Sequence, residues 1–451
     1  MSTQIVNVAL WLGLSSFLFL PSGVSSASEA KLHYKLVSNV VVPFGAPIAE
    51  PYIVDVFDID GKGGDGFALS AMTKAPADAF KVRSAPKDFS KLLNVHSFIV
   101  QNLSASKTFK LVDLGDAGLT HRTWAGRFLR RPGDSSTYFV LGRNGEIGWP
   151  NEIPGEHTSI FKIKTNGDKW DISNVFVSKS LNVTASVSLC DFTGGGSPDV
   201  FVNNYDGPLA SANSRPRIIS FQGDVFSEQD ASYSAFAGMV DKVAHNDVLL
   251  ADIAGDGACD FLGANEIWGG GLTPPSARNS YMLRNVGGHF DGPPIPLPNP
   301  LYGAEQAGFS LAVTKDNGEN LIALDSSRNP NGNSPYKGFS LQLFSYRNGQ
   351  FVEQTREKLS GQIVSPHATA NQARVRFSDI DGDGKPDIYF SVYRGPVEVY
   401  LYRNGKYVLQ TIPVSVTGWM NAVAFLRSPN HTCADLAVLD GNGHLRRYNC
   451  Q

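Results

Sequence analysis

Residues 379–387, Asp-Ile-Asp-Gly-Asp-Gly-Lys-Pro-Asp, followed at once by Ile388, Tyr389, Phe390, Ser391 and Val392, constrain this chain more than any other stretch. Asp379, Asp381, Asp383 and Asp387 stand at loop positions one, three, five and nine, where carboxylates can converge on one hard cation. Position seven, Lys385, can add its carbonyl oxygen, and Gly382 and Gly384 allow the tight turn. Four acids this close repel one another unless a cation lies among them, which points to Ca2+ rather than to a merely solvated turn. An EF-hand would carry a glutamate at position twelve, on a helix; here that position is Phe390, inside an apolar alternation that reads as β. The loop therefore joins two strands.

The motif recurs in weaker copies. Residues 252–262, DIAGDGACDFL, keep Asp252, Asp256 and Asp260 at positions one, five and nine, with Ala254 at three. Residues 191–202 keep only Asp191 and Asp199, and residues 58–69 keep Asp58 and Asp60 but place Lys62 at five and Asp65 one position early. Three further stretches, from Arg127, Ser310 and Ala424, hold the same strand–turn–strand outline around turns with too few acids to hold calcium. The copies begin near 58, 130, 191, 252, 314, 379 and 427, at intervals of 48 to 72 residues.

Each unit continues with two more strand-like segments. In the best copy these are Val397–Tyr402 and Lys406–Gln410, joined by the Asn-Gly hairpin signal Arg403-Asn404-Gly405; Arg347-Asn348-Gly349 repeats it one unit earlier. Four strands in about 60 residues describe a propeller blade. Seven units predict an all-β, seven-bladed β-propeller of four-stranded blades. The last unit ends after its third strand, Leu445–Asn449, and the unpaired segment Leu32–Val37 is expected to supply the fourth and close the ring. Residues 28–451 would then be one domain; two sandwiches split near 245 are the alternative.

With DIDGDGKPD at 379, DIAGDGACD at 252 and this spacing, the chain resembles the FG-GAP/VCBS repeat family, which includes the integrin α-subunit propeller and secreted lectin-like propellers. The resemblance spans residues 31–451, with the 379 and 252 copies carrying it; the motif that gives the family its name is shortened to Phe44-Gly45-Ala46-Pro47. It implies calcium at the turn between the first two strands of a blade. The ligands would be Asp379, Asp381, Asp383, Asp387 and the Lys385 carbonyl, and, in the second copy, Asp252, Asp256, Asp260 and the Ala258 carbonyl.

Composition narrows the setting. The 451 residues contain 45 glycines, which suits an all-β chain with many turns, and the net charge of −3 without a basic block argues against a nucleic-acid partner. Residues 8–20, VALWLGLSSFLFL, precede Pro21 and the small residues Ser25, Ser26 and Ala27, which reads as a signal peptide over 1–27, although no Lys or Arg precedes the apolar run. The run is too short to span a bilayer comfortably, and no other segment could do so, so the protein is expected to be secreted. Four cysteines fit an oxidising compartment; Cys433 and Cys450 are expected to pair, while Cys190 and Cys259 could pair or stay reduced. Asn102, Asn182 and Asn430 head N-glycosylation sequons.

Calcium loops with only oxygen ligands stiffen a scaffold rather than perform chemistry. Recognition is expected on the opposite face, where the second and third strands of a blade are joined by long connections. These carry Trp149, Tyr205, Trp268 and Tyr336 beside Asn, Asp and Arg, a combination that suits sugar rings and their hydroxyls, although Trp149 and Trp268 could equally cap the core. The partner would be an extracellular glycan or a protein ligand. Two other classes remain: a polysaccharide-processing enzyme such as a propeller lyase, and a protein-binding adhesion module. His121, His157, His245 and His367 are candidates for the former, but no HExxH, nucleophile elbow or paired-carboxylate motif links them.

Overall fold

Each of the seven turns joins two antiparallel strands, as the apolar alternation around it requires. The structure, a computed structural model, describes residues 31–74, 93–103, 108–123, 125–143, 156–167, 169–204, 216–223, 225–230, 245–265, 280–287, 290, 292–298, 306–328, 339–361, 364–365, 374–390, 395–417, 422–429 and 431–451. The strands form seven sheets, each built on four strands, in chain order in all but the last, and the sheets are arranged in a ring: the protein is a seven-bladed β-propeller. Blades 1 to 6 begin at Ile48, Ala125, Thr184, His245, Gln306 and Arg376, and their fourth strands end at Asp113, Asn182, Asp230, Pro296, Glu353 and Val416.

The ring closes as expected. Blade 7 takes Val423–Leu426, Asp435–Leu439 and His444–Cys450 from the C-terminus, and Tyr34–Val41 pairs antiparallel with the last of these, Tyr34 facing Cys450 and Val41 facing His444. The strand from the start of the chain covers the edge that the end of the chain would leave open. Sequence reading did not foresee two additions. Leu359–Ser360 runs parallel along the outer strand of blade 6, and Val364–Ser365 pairs with the third strand of blade 5.

Why the second strands read as continuous apolar runs follows from the packing. Among the described residues the core consists of seven apolar clusters, each lying between two adjacent blades. Tyr52, Val54 and Ile99 of blade 1 meet Phe128, Phe139 and Phe161 of blade 2, and the series continues to Ala424, Leu439 and Leu445 of blade 7 against Ile53, Phe67 and Val100 of blade 1. A blade stacked on both sides must be apolar on both faces, so strands such as Thr137–Gly142 and Asp387–Phe390 are buried at every position.

Polar ties cross the same junctions. On the inner strands a side chain of one blade accepts a backbone N–H of the next. Asp55 takes Phe128 (2.8 Å), Ser186 takes Val248 (2.9 Å), Asp247 takes Leu311 (3.0 Å) and Ser310 takes Val375 (2.8 Å). These bonds satisfy inner-edge donors that have no strand partner. At the turns, Asn320 donates to the carbonyls of Asp252 and Ile253, and the Ala434 N–H donates to Ile380 O (2.7 Å). Both cysteine pairs form disulfides: Cys433–Cys450 inside blade 7, and Cys190–Cys259 between blades 3 and 4.

Candidate calcium site and ligand face

The 379 loop wraps its own backbone around its carboxylates. Asp379 accepts the N–H groups of Gly382 (2.9 Å) and Gly384 (3.1 Å), Asp381 accepts that of Asp383 (3.2 Å), and Asp383 accepts that of Lys385 (2.8 Å). Gly382 and Gly384 both take positive φ, +78° and +79°, which L side chains rarely adopt. Asp387 is fully buried at the start of the second strand and accepts the N–H groups of Ile380 (2.8 Å) and Tyr402 (2.7 Å). One carboxylate oxygen from each of Asp379, Asp381 and Asp387 lies within 4.8 Å of the other two.

The electrostatics of this trio are those of a site short of positive charge. Burial pushes the Asp387 carboxyl up to about 7, and the carboxylates of Asp381 and Asp383 add to the shift against the pull of its two backbone donors. The set is hard, all-oxygen and clustered, so the residues fit Ca2+. One cation of the chain's own already reaches them: the Arg403 guanidinium pairs with Asp381 and lies 3.4 Å from Asp383. Asp383 is not in the converging trio, and Lys385 is exposed with its N–H turned to Asp383.

The 252 loop is built the same way but neutralised differently. Asp252 accepts N–H groups of Gly255, Asp256 and Gly257, and Asp260 accepts those of Ile253, Ala254 and Asn285. Arg284 then spans the loop, 2.5 Å from Asp256 and 3.3 Å from Asp260, while the Ala258 N–H is held by Asp256 (3.1 Å). Among the described residues, three carboxylates converge only at the 379 loop.

The turns of blades 1, 5 and 7 show the same economy of charge. Arg427 of blade 7 grips Asp65 of blade 1 through Nη2 (3.0 Å) and Nε, Lys358 pairs with Asp316 (2.5 Å), and Arg447 pairs with Asp435 (2.7 Å) with both side chains fully buried. Sequence reading missed these cations. Arg347 and Arg403 drew attention only as part of the Asn-Gly turn signal, and Arg284, just after the third strand of blade 4, drew none.

On the opposite face the second strands end and the third begin after long intervals: 13 residues separate Gly142 from Glu156, 12 separate Asn204 from Arg217, 15 separate Asn265 from Tyr281, and 10 separate Arg328 from Phe339. Third and fourth strands, by contrast, turn in two residues at Asn404-Gly405 and Asn348-Gly349, where both asparagines take the left-handed conformation an Asn-Gly turn requires. Trp149, Tyr205, Trp268 and Tyr336 all fall in the long intervals and lie outside the described residues, as do residues 1–30 with the expected signal peptide.

Of the four candidate histidines, three lie among the described residues. The His121 N–H donates to Glu156, which also accepts the Thr120 hydroxyl (2.5 Å) and whose carboxyl burial pushes up. His157 follows Glu156 in the third strand of blade 2. His245 is buried in blade 4 with Nε2 2.8 Å from the Tyr281 hydroxyl, and His367 lies outside the described residues. Asn182 is unsuited to carry a glycan in the folded chain: it is 1% exposed, its Nδ2 donates to Thr158 and Ser178, and its Oδ1 accepts from Asn204 (2.8 Å). Asn102 begins a sequon whose Ser104, like Asn430, falls outside the described residues.

No protein-family model matches this chain, and no curated protein matches it. Among the described residues no helix is long and apolar enough to cross a membrane.

Proposed function

We propose that this protein is an exported, calcium-stabilised propeller of the FG-GAP/VCBS kind that acts by binding an extracellular ligand, carbohydrate in the first instance. The observation that carries the ligand reading is the asymmetry of the two faces. One face holds short turns folded around aspartates; at the other, second strands end and third strands begin, and four of the long sequence intervals between them include Trp149, Tyr205, Trp268 and Tyr336. A rigid ring with long, aromatic-bearing connections on one side is the usual arrangement for recognition. Calcium is supported by the converging oxygens of Asp379, Asp381 and Asp387, and export is supported by the apolar start of the chain and by two disulfides.

A glycan array on the purified chain, run in calcium and again in chelator, tests the ligand reading. Selective binding that is lost when Trp149 and Trp268 are changed to alanine is expected. A blank array from protein with an intact melting transition would overturn the carbohydrate assignment and favour a protein partner.

A further inference from the structure

The innermost strands are enclosed by the ring, so accessible surface on their side chains opens onto the axis. Most inner-strand residues have little. In Ala125–Arg130 the mid-strand exception is Arg127, with 29% of its side chain accessible, and it lies 3.6 Å from Asp55. Arg374 and Arg376, at the start of blade 6, are half-buried. They reach across the opening rather than to neighbouring blades. Arg374 Nη2 donates to Ala185 O of blade 3 (3.0 Å), and Arg376 Nη2 donates to Val54 O of blade 1 (2.9 Å).

Val54, which accepts from Arg376, precedes Asp55, which lies beside Arg127, so these two guanidinium groups meet at adjacent residues of blade 1, and Arg374 is within electrostatic reach of both. Burial pushes the Arg374 pKa down to about 10; Arg127 and Arg376 add to that shift, while Asp247 and Asp55 oppose it. Three cations face two carboxylates, and each carboxylate already accepts a backbone N–H, Phe128 for Asp55 and Leu311 for Asp247. Among the described groups acting on Arg374, positive charge is thus in excess, in a chain whose net charge is −3. Guanidinium forks have more donors than these few carbonyl bonds engage, and their geometry matches planar or tetrahedral oxyanions.

We propose that Arg127, Arg374 and Arg376 form an axial site for a small oxyanion, a carboxylate or phosphate group held between blades 2 and 6. The site is separate from the aspartate turns and does not depend on the calcium or carbohydrate readings. The ligand could be a free inorganic anion or the acidic group of a larger molecule entering the channel, and the two sources are separable by experiment.

The test is titration of the full chain with inorganic phosphate and with glucuronate, followed by calorimetry and thermal melting in chelator, with chloride at matched ionic strength as control. Saturable binding is expected with one or both probes, at one site per chain, weakened at least tenfold in Arg127→Gln. Arg127 is chosen because, among the described residues, it ties only to its neighbour's carbonyl, Gly126 O, and at 3.6 Å to Asp55 of the adjoining blade, which keeps its bond from Phe128, so the variant should fold; Arg374→Lys, which keeps the charge but loses the planar fork, should show an intermediate loss. Binding of phosphate alone would mark a free-anion site, and binding of glucuronate alone or more tightly would mark an acidic saccharide. Responses equal to those in chloride, or binding unchanged in Arg127→Gln and Arg374→Lys, would overturn the site.

Discussion

The guanidinium of Arg403 pairs with the carboxylate of Asp381, one of the three that converge at the 379 loop. An arginine from the third strand thus reaches the same charge that a calcium ion would neutralise. On the proposed calcium reading the two cations would compete for Asp381. In Arg403→Gln the competitor is removed while a hydrogen-bond donor is kept, so calcium affinity is expected to rise, on the order of tenfold for a charge contact of about 1–1.5 kcal/mol at a partly exposed site. Metal-free stability should fall slightly in the same variant. Calcium titration of both proteins checks this; equal affinities would mean that Arg403 does not oppose the ion.

Gly382 and Gly384 have nearly the same φ, yet their surroundings differ. A Cβ built on Gly382 would overlap Thr432 O of blade 7, at 1.5 Å, while one on Gly384 meets nothing within 4 Å. Gly384→Ala is therefore expected to cost about 1–2 kcal/mol, the strain of a left-handed alanine. Gly382→Ala should cost several kcal/mol, because it also forces the 379 loop away from the turn of the next blade. Urea melts of the two variants separate the effects, and equal losses would show that the blade 6 turn does not seat against blade 7.

His245 gives a pH signature. Burial pushes its pKa down to about 3, below the ordinary value near 6.5. Below pH 6.5 the unfolded chain takes up a proton that the folded chain refuses until about pH 3. The stability associated with the neutral ring is complete above pH 6.5 and is lost as pH falls toward 3. Between pH 7 and pH 5 the loss from this group is expected to be about 2 kcal/mol. His245→Gln should be less stable at pH 7 but correspondingly flatter over that interval, as read from denaturant melts at both pH values. Parallel profiles would place the ring in contact with water.

The blade plan was legible because the turns announce themselves. Asp and Gly at fixed offsets marked the first turns, Asn404-Gly405 marked a hairpin, and Leu32–Val37 stood out as a strand without a partner. The structure shifts that strand to Tyr34–Val41, beginning two residues later and ending four later, without changing its role. Other features lie in relationships that no local pattern records. Arg284 and Arg403 look like ordinary residues before a turn, and only the antiparallel register brings them over Asp256 and Asp381. The pairing of Cys190 with Cys259 depends on the packing of blade 3 against blade 4, across 69 residues of chain. Asn182 reads as a sequon but is drawn inward by Thr158, Ser178 and Asn204. Arg374 and Arg376 acquire meaning only once the ring has closed around them.

The most direct test of the calcium-stabilised ring is a calorimetric calcium titration of the chelator-stripped chain beside its Asp381→Asn variant, with melting temperatures measured at each end. Binding to the wild-type chain is expected, together with a rise in melting temperature corresponding to about 2.7 kcal/mol at a hundredfold excess over Kd. In Asp381→Asn both should be weakened or lost. Absence of binding heat and of any thermal shift in the wild-type chain, or an unchanged shift in the variant, would contradict the assignment of calcium to Asp379, Asp381 and Asp387.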